Sequence, residues 1–238
     1  TNPAVSMPRA DIVRDALRAC PLVIVSDAWP TDTTALADIV LPAAGWAEKD
    51  GTVTNSERRI SRQRRFRAAP GEARPDWWMF AEVGRRMGWR EAFAFETPAA
   101  IFREHAALTA FENNGQRRLD LGALATLDDD AYEALDPVQW PCPASGQGAG
   151  HARLFARGRF STADGRARML PLAIRADAEL AGFPLILNTG RVRDQWHTMT
   201  RTGRIPHLMT HSPGPRLALH PRDAMLRGIV DGGLARVT

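Results

Sequence analysis

Two stretches of the chain concentrate side chains able to do polar chemistry. Residues 37–59 bring Asp38, Glu48, Lys49, Asp50, Thr52, Thr54, Asn55, Glu57, Arg58 and Arg59 into one run. Residues 187–204 hold Thr189, Gly190, Arg191, Val192, Arg193, Asp194, Gln195, Trp196, His197 and Thr198, a mixture too polar for a core strand. Gly190 lets the backbone approach a ligand closely, and Arg191, His197 and Thr198 have the donors and acceptors to bond a polar heterocycle or a phosphate. The competing reading is a surface loop that follows a strand. Ser26 and Asp27 close a short apolar run, where α/β sheets usually hold their ligands.

Several chemistries are absent. There is no G-x-x-x-x-G-K phosphate loop, no G-x-G-x-x-G after the first strand, no H-E-x-x-H and no G-x-S-x-G elbow. Cys20 and Cys142 are isolated, which argues against a zinc or iron–sulfur site in this chain and against a disulfide framework. They favour a reducing compartment, the cytoplasm.

The 238 residues are 44% hydrophobic and 24% charged, values of an ordinary folded chain rather than a disordered one. No apolar run approaches the roughly 18 residues of a spanning helix, so no membrane is expected. The start shows no secretory signal and no initiator Met, and reads as lying inside a longer chain. The net charge of +4 is modest and almost wholly arginine, Lys49 being the only lysine. The run from Glu57 to Arg67 offers a phosphate grip. It reads better as a solvated strand or loop than as a nucleic-acid module, because only Phe66 interleaves an aromatic ring.

The elements that must position these residues alternate at first. Ser6 is placed to cap a helix over 9–18, with Pro8 in its first turn and Pro21 ending it. Residues 22–25 read as a buried parallel strand and 38–41 as a second, closed by Pro42. Asp76 is placed to cap a helix whose apolar spacing is Trp77, Phe80, Val83, Gly84 and Met87, with Gly88 just past its end. Thr97-Pro98 opens another helix through Ile101, Phe102 and Leu108. From about Asp128 the pattern loosens, and 141–150 is a Pro/Gly/Ser-rich linker. Short strands then follow at 153–156, 167–170, 184–187, 216–219 and 233–237, with Asp164-Gly165 and Asp231-Gly232 as turns and one helix from Pro221 to Leu226, ended by Gly228.

On the residues of the two clusters the chain resembles molybdopterin oxidoreductase catalytic subunits, the dimethyl sulfoxide reductase superfamily. The first cluster is similar to the family pattern of a strand ending in Ser-Asp, then Thr-x-Thr, Ala-Asp-x-x-Leu-Pro and Glu-Lys-x-Gly-Thr-x-x-Asn-x-Glu-Arg-Arg. Residues 71–77, Gly-Glu-Ala-Arg-Pro-Asp-Trp, continue it. Residues 154–167 and the run Thr-Gly-Arg-Val-Arg-Asp-Gln-Trp-His-Thr-Met-Thr-Arg-Thr-Gly resemble the assimilatory nitrate reductase branch. The resemblance runs from about Leu22 to the C-terminus and is weakest over 90–150.

The resemblance implies an α/β fold. A partial parallel-sheet dinucleotide-binding domain would occupy 1–150, its end being the linker. Connecting strands would fill 151–182, and the start of a β-barrel molybdopterin dinucleotide-binding domain 183–238. It implies a molybdenum cofactor carried by two molybdopterin guanine dinucleotides. Ser26, Asp27, Lys49 and Asp76 would contact one nucleotide, and Thr189 to Thr198 would lie along pterin and pyrophosphate. The implied reaction is reduction of nitrate to nitrite, with electrons from a donor protein or reductase subunit through a [4Fe-4S] cluster. The family's cluster cysteines and metal-ligating residue match nothing here, so no catalytic or metal-binding residue is assigned, and the 238 residues alone are expected to be inactive. A formate dehydrogenase shares the dinucleotide motifs and is the nearest alternative.

Overall fold

The computed structural model describes residues 2–146, 153–173 and 182–237. Part of the expected linker (147–150) and part of the expected connecting strands (151, 152 and 174–181) lie outside the described residues. In chain order the elements are α1 (Pro3–Ser6), α2 (Ala10–Ala19), β1 (Ile24–Asp27), β2 (Ile39–Pro42), β3 (Gly51–Thr54), β4 (Arg59–Gln63), α3 (Asp76–Arg86), α4 (Pro98–Ala110), α5 (Asp129–Glu133), β5 (Val138–Gln139), α6 (Pro206–Met209) and α7 (Pro221–Leu226). This is an α/β fold with small sheets. It divides into one unit of residues 24–28 and 39–180 and another of residues 1–23, 29–38 and 181–238.

In the first unit β1 and β2 pair in parallel, Ile24 opposite Ile39 and Asp27 opposite Pro42. The chain then touches this pair again: Ala44 N–H donates to the Arg74 carbonyl at 2.9 Å and Arg74 N–H to that of Pro42 at 3.0 Å. A second sheet runs β3-β4-β5, all antiparallel. Asn55 builds the β3–β4 turn: its Oδ1 accepts from the N–H groups of Glu57 and Arg59, both at 3.0 Å. Much of the core forms where α4 packs against the β3–β4 hairpin. Ala99, Phe102 and Ala106 line one helix face and meet Ile60, Leu121, Leu124 and Tyr132.

The arginine run is largely committed inside this unit. Arg58 donates to the Trp140 carbonyl, Arg59 pairs with Glu57, Arg62 and Arg64 with Glu133, and Arg65 with Asp50. The Arg62 side chain is 1% exposed and stacks 4.1 Å from the Tyr132 ring centroid. β4 is thus a partly covered strand, not the solvated face its composition suggests.

Several expected elements appear where expected. Thr97 caps α4, its Oγ1 accepting from Ala100 N–H at 3.2 Å. α7 spans Pro221–Leu226, and Gly228 follows at φ 64°. Others differ. Ser6 does not cap α2. It closes α1 by donating to the Asn2 carbonyl at 3.0 Å, and Arg9 enters α2 in a left-handed conformation. Asp76 is the first residue of α3 rather than its cap. On α3 the buried residues are Met79, Ala81 and Gly84, whereas Phe80, Val83 and Met87 are exposed. Gly84 packs against the Phe93 ring so closely that a Cβ there would sit 2.5 Å from it. Beyond Asp128 the chain does not loosen. Asp128 caps α5, accepting from Ala131 N–H at 2.7 Å, and β5 pairs with β4.

No strand occupies 153–156, 167–170, 184–187, 216–219 or 233–237 among the described residues. Ile186 and Leu234 are fully exposed or nearly so. A four-residue apolar run holds extended geometry only when a neighbouring strand takes up its N–H and C=O groups, and none among the described residues pairs with these runs. Turns form at the two expected positions, with Gly165 at φ 71° and Gly232 at φ 75°, but among the described residues no paired strands flank them as hairpins.

In the second unit Asn2 is the hub. Its side-chain oxygen accepts from Thr33 N–H and Oγ1, and its Nδ2 donates to Asp32 Oδ2 and Thr198 Oγ1. Asn2 and Thr33 are both buried.

Candidate functional site

The first candidate site is built by three elements that end together. β1 delivers Ser26 at its C-terminal end. The turn at Trp46–Glu48 is locked by Glu48, whose Oε2 accepts from Gly45 N–H at 2.8 Å, and Lys49 follows it. Gln63 on β4 steadies that segment by donating to the carbonyls of Trp46 (2.7 Å) and Lys49 (3.2 Å). Pro75 in extended conformation turns the chain into α3, so Asp76 stands at a helix N-terminus, where the backbone dipole favours a carboxylate.

The three side chains meet at the Asp76 carboxylate. Ser26 Oγ donates to Oδ1 and Lys49 Nζ to Oδ2, both at 3.1 Å. Lys49 Nζ also lies 5.2 Å from the Trp46 ring centroid, and Ser26 Oγ lies 3.7 Å from Met79 Sδ. The carboxylate is about half exposed. A pair this open contributes at most about 1 kcal/mol to folding, so stability gives little reason for the arrangement. Each carboxylate oxygen keeps acceptor capacity beyond its one bond, so Asp76 can still take two parallel N–H donors. Asp27 adjoins through the chain: it ends β1, and its carbonyl accepts from Ala43 N–H at 3.1 Å. Beside Asp76, the Trp77 indole Nε1 is buried and meets no acceptor among the described residues.

The second candidate, residues 189–198, is irregular. Thr189 and Gly190 are exposed, and a Cβ on Gly190 would meet nothing within 4 Å. Arg191, Val192, Trp196 and His197 are exposed. Arg193 forms a forked pair with Asp194, and His211 Nδ1 lies 2.6 Å from Asp194 Oδ2. The Arg193 hydrogen bond, with His211 adding to it, holds the Asp194 carboxyl below the usual carboxylate range. Gln195 is buried. Its Nε2 lies 3.3 Å from Met209 Sδ, and its Oε1 meets no donor among the described residues. His197, Thr198 and Met199 run at φ 48°, 57° and 60°, a left-handed turn that L residues adopt only under constraint. Thr198 Oγ1 bonds the His197 carbonyl at 2.7 Å and accepts from Asn2 at 3.1 Å.

The structure thus brings Ser26, Lys49 and Asp76 together and groups Asp194, Gln195 and Thr198 with partners of their own unit. Reading the sequence missed Trp46, Met79, Asn2 and Thr33 as partners of these residues. Trp46 stands within residues 37–59 and offered a signal. Asn2 offered none, being 196 residues from Thr198. Cys142 is no nucleophile candidate, since burial and then the nearby Asp120 charge push its thiol pKa up. Among the described residues no group of three or more His, Cys, Asp or Glu is placed to hold a metal, and no helix is long and apolar enough to cross a membrane.

Two family models match. The molybdopterin oxidoreductase model covers residues 1–86 and the molybdopterin dinucleotide binding domain model residues 185–238. The chain is 50% identical to a nitrate reductase of Klebsiella oxytoca and 45% identical to one of Shewanella frigidimarina, over 100% of this chain in both cases. It is 34% identical to the alpha subunit of an F420-dependent formate dehydrogenase of Methanocaldococcus jannaschii, over 99% of this chain. The chain spans 27%, 26% and 33% of those three relatives. Among solved structures, acetylene hydratase from Pelobacter acetylenicus shares the fold at TM-score 0.65 and 20% identity, over 98% of this chain and 32% of that one. With both models matched and half of all positions shared along its whole length with a named relative, the chain belongs to the molybdopterin oxidoreductase family.

Proposed function

We propose that this chain is the nucleotide-holding part of a molybdenum-dependent nitrate reductase that converts nitrate to nitrite. The observation that carries the reading is the Asp76 carboxylate, aimed from a helix N-terminus and oriented by Ser26 and Lys49. Guanine presents two parallel N–H donors on one edge, and an oriented carboxylate accepts both. Lys49 is then free to answer the guanine carbonyl or a phosphate, and Ser26 keeps the carboxylate in place. The donor set therefore fits a guanine dinucleotide.

When bound, the molybdenum cofactor supplies the two-electron oxygen-atom transfer. The chain's own residues bind and orient. Ser26, Asp27, Lys49 and Asp76 take one nucleotide, and Thr189, Gly190, Arg191, Val192, Arg193, Asp194, Gln195, Trp196, His197 and Thr198 take pterin and pyrophosphate. No catalytic or metal-ligating residue is assigned here. The reading includes a parallel-sheet dinucleotide domain, a β-barrel whose strands find partners in the intact protein, and a [4Fe-4S] cluster ligated elsewhere. It also includes an electron-donor protein and a cytoplasmic setting, which the free cysteines support. A formate dehydrogenase is the second reading, favoured by the 34% identity to that subunit.

The test replaces Asp76 by Ala in the intact protein and measures molybdenum and acid-released guanine nucleotide per chain. Losing hydrogen bonds to a charged group, about 1.5–3 kcal/mol, lowers retention roughly 10- to 100-fold with the fold intact. Full retention of both would remove the basis of the proposal.

A further inference from the structure

A cleft of about 1020 Å³ opens in the first unit, between the chain that leaves α4 and residues 153–159. Among the described residues its lining holds Arg117, Arg118, Arg153, Arg157 and Arg159 against a single carboxylate, Asp120. That carboxylate is already engaged: Oδ1 accepts from Gly122 N–H at 2.9 Å and Oδ2 from Asn113 Nδ2 at 3.2 Å. Among the described residues, Arg118, Arg153, Arg157 and Arg159 make no ion pair, in contrast to the paired Arg59 and Arg62 of β4. Arg118 Nε is buried and meets no acceptor among the described residues.

The arrangement is built rather than incidental. Asn113, 2% exposed, fixes the loop: its Oδ1 accepts from Arg117 N–H at 2.6 Å and its Nδ2 bonds the Thr109 carbonyl at 3.1 Å. The Arg117 guanidinium is aimed by bonds to the carbonyls of Thr109 and Phe111. Arg118 stacks 5.2 Å from the Phe155 ring centroid, and Phe160 stacks on Phe155 at 4.9 Å. Guanidinium groups gathered in one concavity repel each other, and a compact anion removes that cost.

We propose that this arginine cleft binds a small polyphosphate anion. Four surplus positive charges in one cleft call for several negative charges in a small volume, which linked phosphates provide and single carboxylates do not. The volume exceeds what orthophosphate fills, and a second hollow of about 490 Å³ shares Gly115 and Arg118 with it. Single-stranded nucleic acid needs open aromatic faces, and Phe155 is already stacked on Arg118 and Phe160.

The test uses the intact, cofactor-loaded protein and inorganic tripolyphosphate as probe, by titration calorimetry. Tripolyphosphate binds at one site, at least tenfold tighter than orthophosphate. Arg118→Gln and Arg157→Gln each weaken it tenfold or more, whereas Arg90→Gln, which removes an exposed arginine outside the cleft lining, leaves it unchanged. Arg157 is exposed, so its variant keeps the test alive should Arg118→Gln not fold. Absence of binding, equal binding by Arg157→Gln, or loss in Arg90→Gln would overturn the proposal. So would a polyglutamate peptide or a single-stranded oligonucleotide that binds more tightly than tripolyphosphate and is lost in Arg157→Gln, since the occupant would then be a macromolecule.

Discussion

The two candidate ligand regions are held by opposite means. Ser26, Lys49 and Asp76 ride on the ends of regular elements, and each is aimed by local geometry: a strand end, a locked turn, a helix start. Residues 189–198 belong to no strand or α-helix. Their shape rests on a left-handed turn at 197–199 and on a buried asparagine near the start of the chain. The first arrangement costs little backbone strain. The second stores it, each left-handed L residue costing on the order of 1 kcal/mol, and it survives only while distant partners hold it.

Binding is where the contrast produces its largest effect. Asp76→Ala strips guanine nucleotide roughly 10- to 100-fold, because a carboxylate serving two donors has no substitute nearby. Arg191→Ala, on the exposed loop, lowers molybdenum occupancy about tenfold and leaves thermal stability nearly unchanged. Metal content of the two purified variants checks this, and equal losses would erase the distinction between the regions.

Stability is the next place to break the comparison. Asn2→Ala leaves the buried Thr33 hydroxyl and N–H without their acceptor and costs about 1–3 kcal/mol. It also frees Thr198, so limited proteolysis near 197–200 quickens while cleavage near Asp76 does not. Thermal melting with mapped cleavage reads both effects. Unchanged protection of the left-handed turn would show that it holds itself.

The smallest effect is with pH. Asp194 titrates below the usual carboxylate range in the folded chain because Arg193 and His211 favour its charged form. Its contribution to stability is therefore present above the unfolded carboxyl pKa, about 4, and disappears as pH falls through the lower folded value. Asp194→Asn melts lower than the parent near pH 7, and the two curves converge in strong acid. A gap that persists at low pH would assign the difference to packing.

The convergence of Ser26, Lys49 and Asp76 was legible through the family resemblance, and local signals agree with it. Ser-Asp after an apolar run, the single lysine and Asp76 before an apolar helix each mark an element boundary. Thr97-Pro98 and Pro221 to Leu226 were readable for the same reason. The spacing of residues 77–87 marked α3 as a helix with Gly88 just past its end, but hydrophobic spacing cannot say which stripe is covered. Gly84 faces Phe93, while Phe80 and Val83 stay exposed. α5 and β5 were missed because five-residue and two-residue elements owe their existence to Tyr132 and Val138 packing on the β4 side of the core. The runs at 184–187 and 216–219 have strand composition, yet composition supplies no partner strand. The link from Asn2 to Thr198 is tertiary throughout and leaves no trace in spacing.

The central claim is that Asp76, oriented by Ser26 and Lys49, receives the guanine of a dinucleotide. The direct measurement is an experimental density map of the intact protein with its cofactor bound. The account predicts a purine edge hydrogen-bonded to the Asp76 carboxylate, with Lys49 on the same nucleotide. A bound dinucleotide that leaves Asp76 paired only with Ser26 and Lys49 would contradict it.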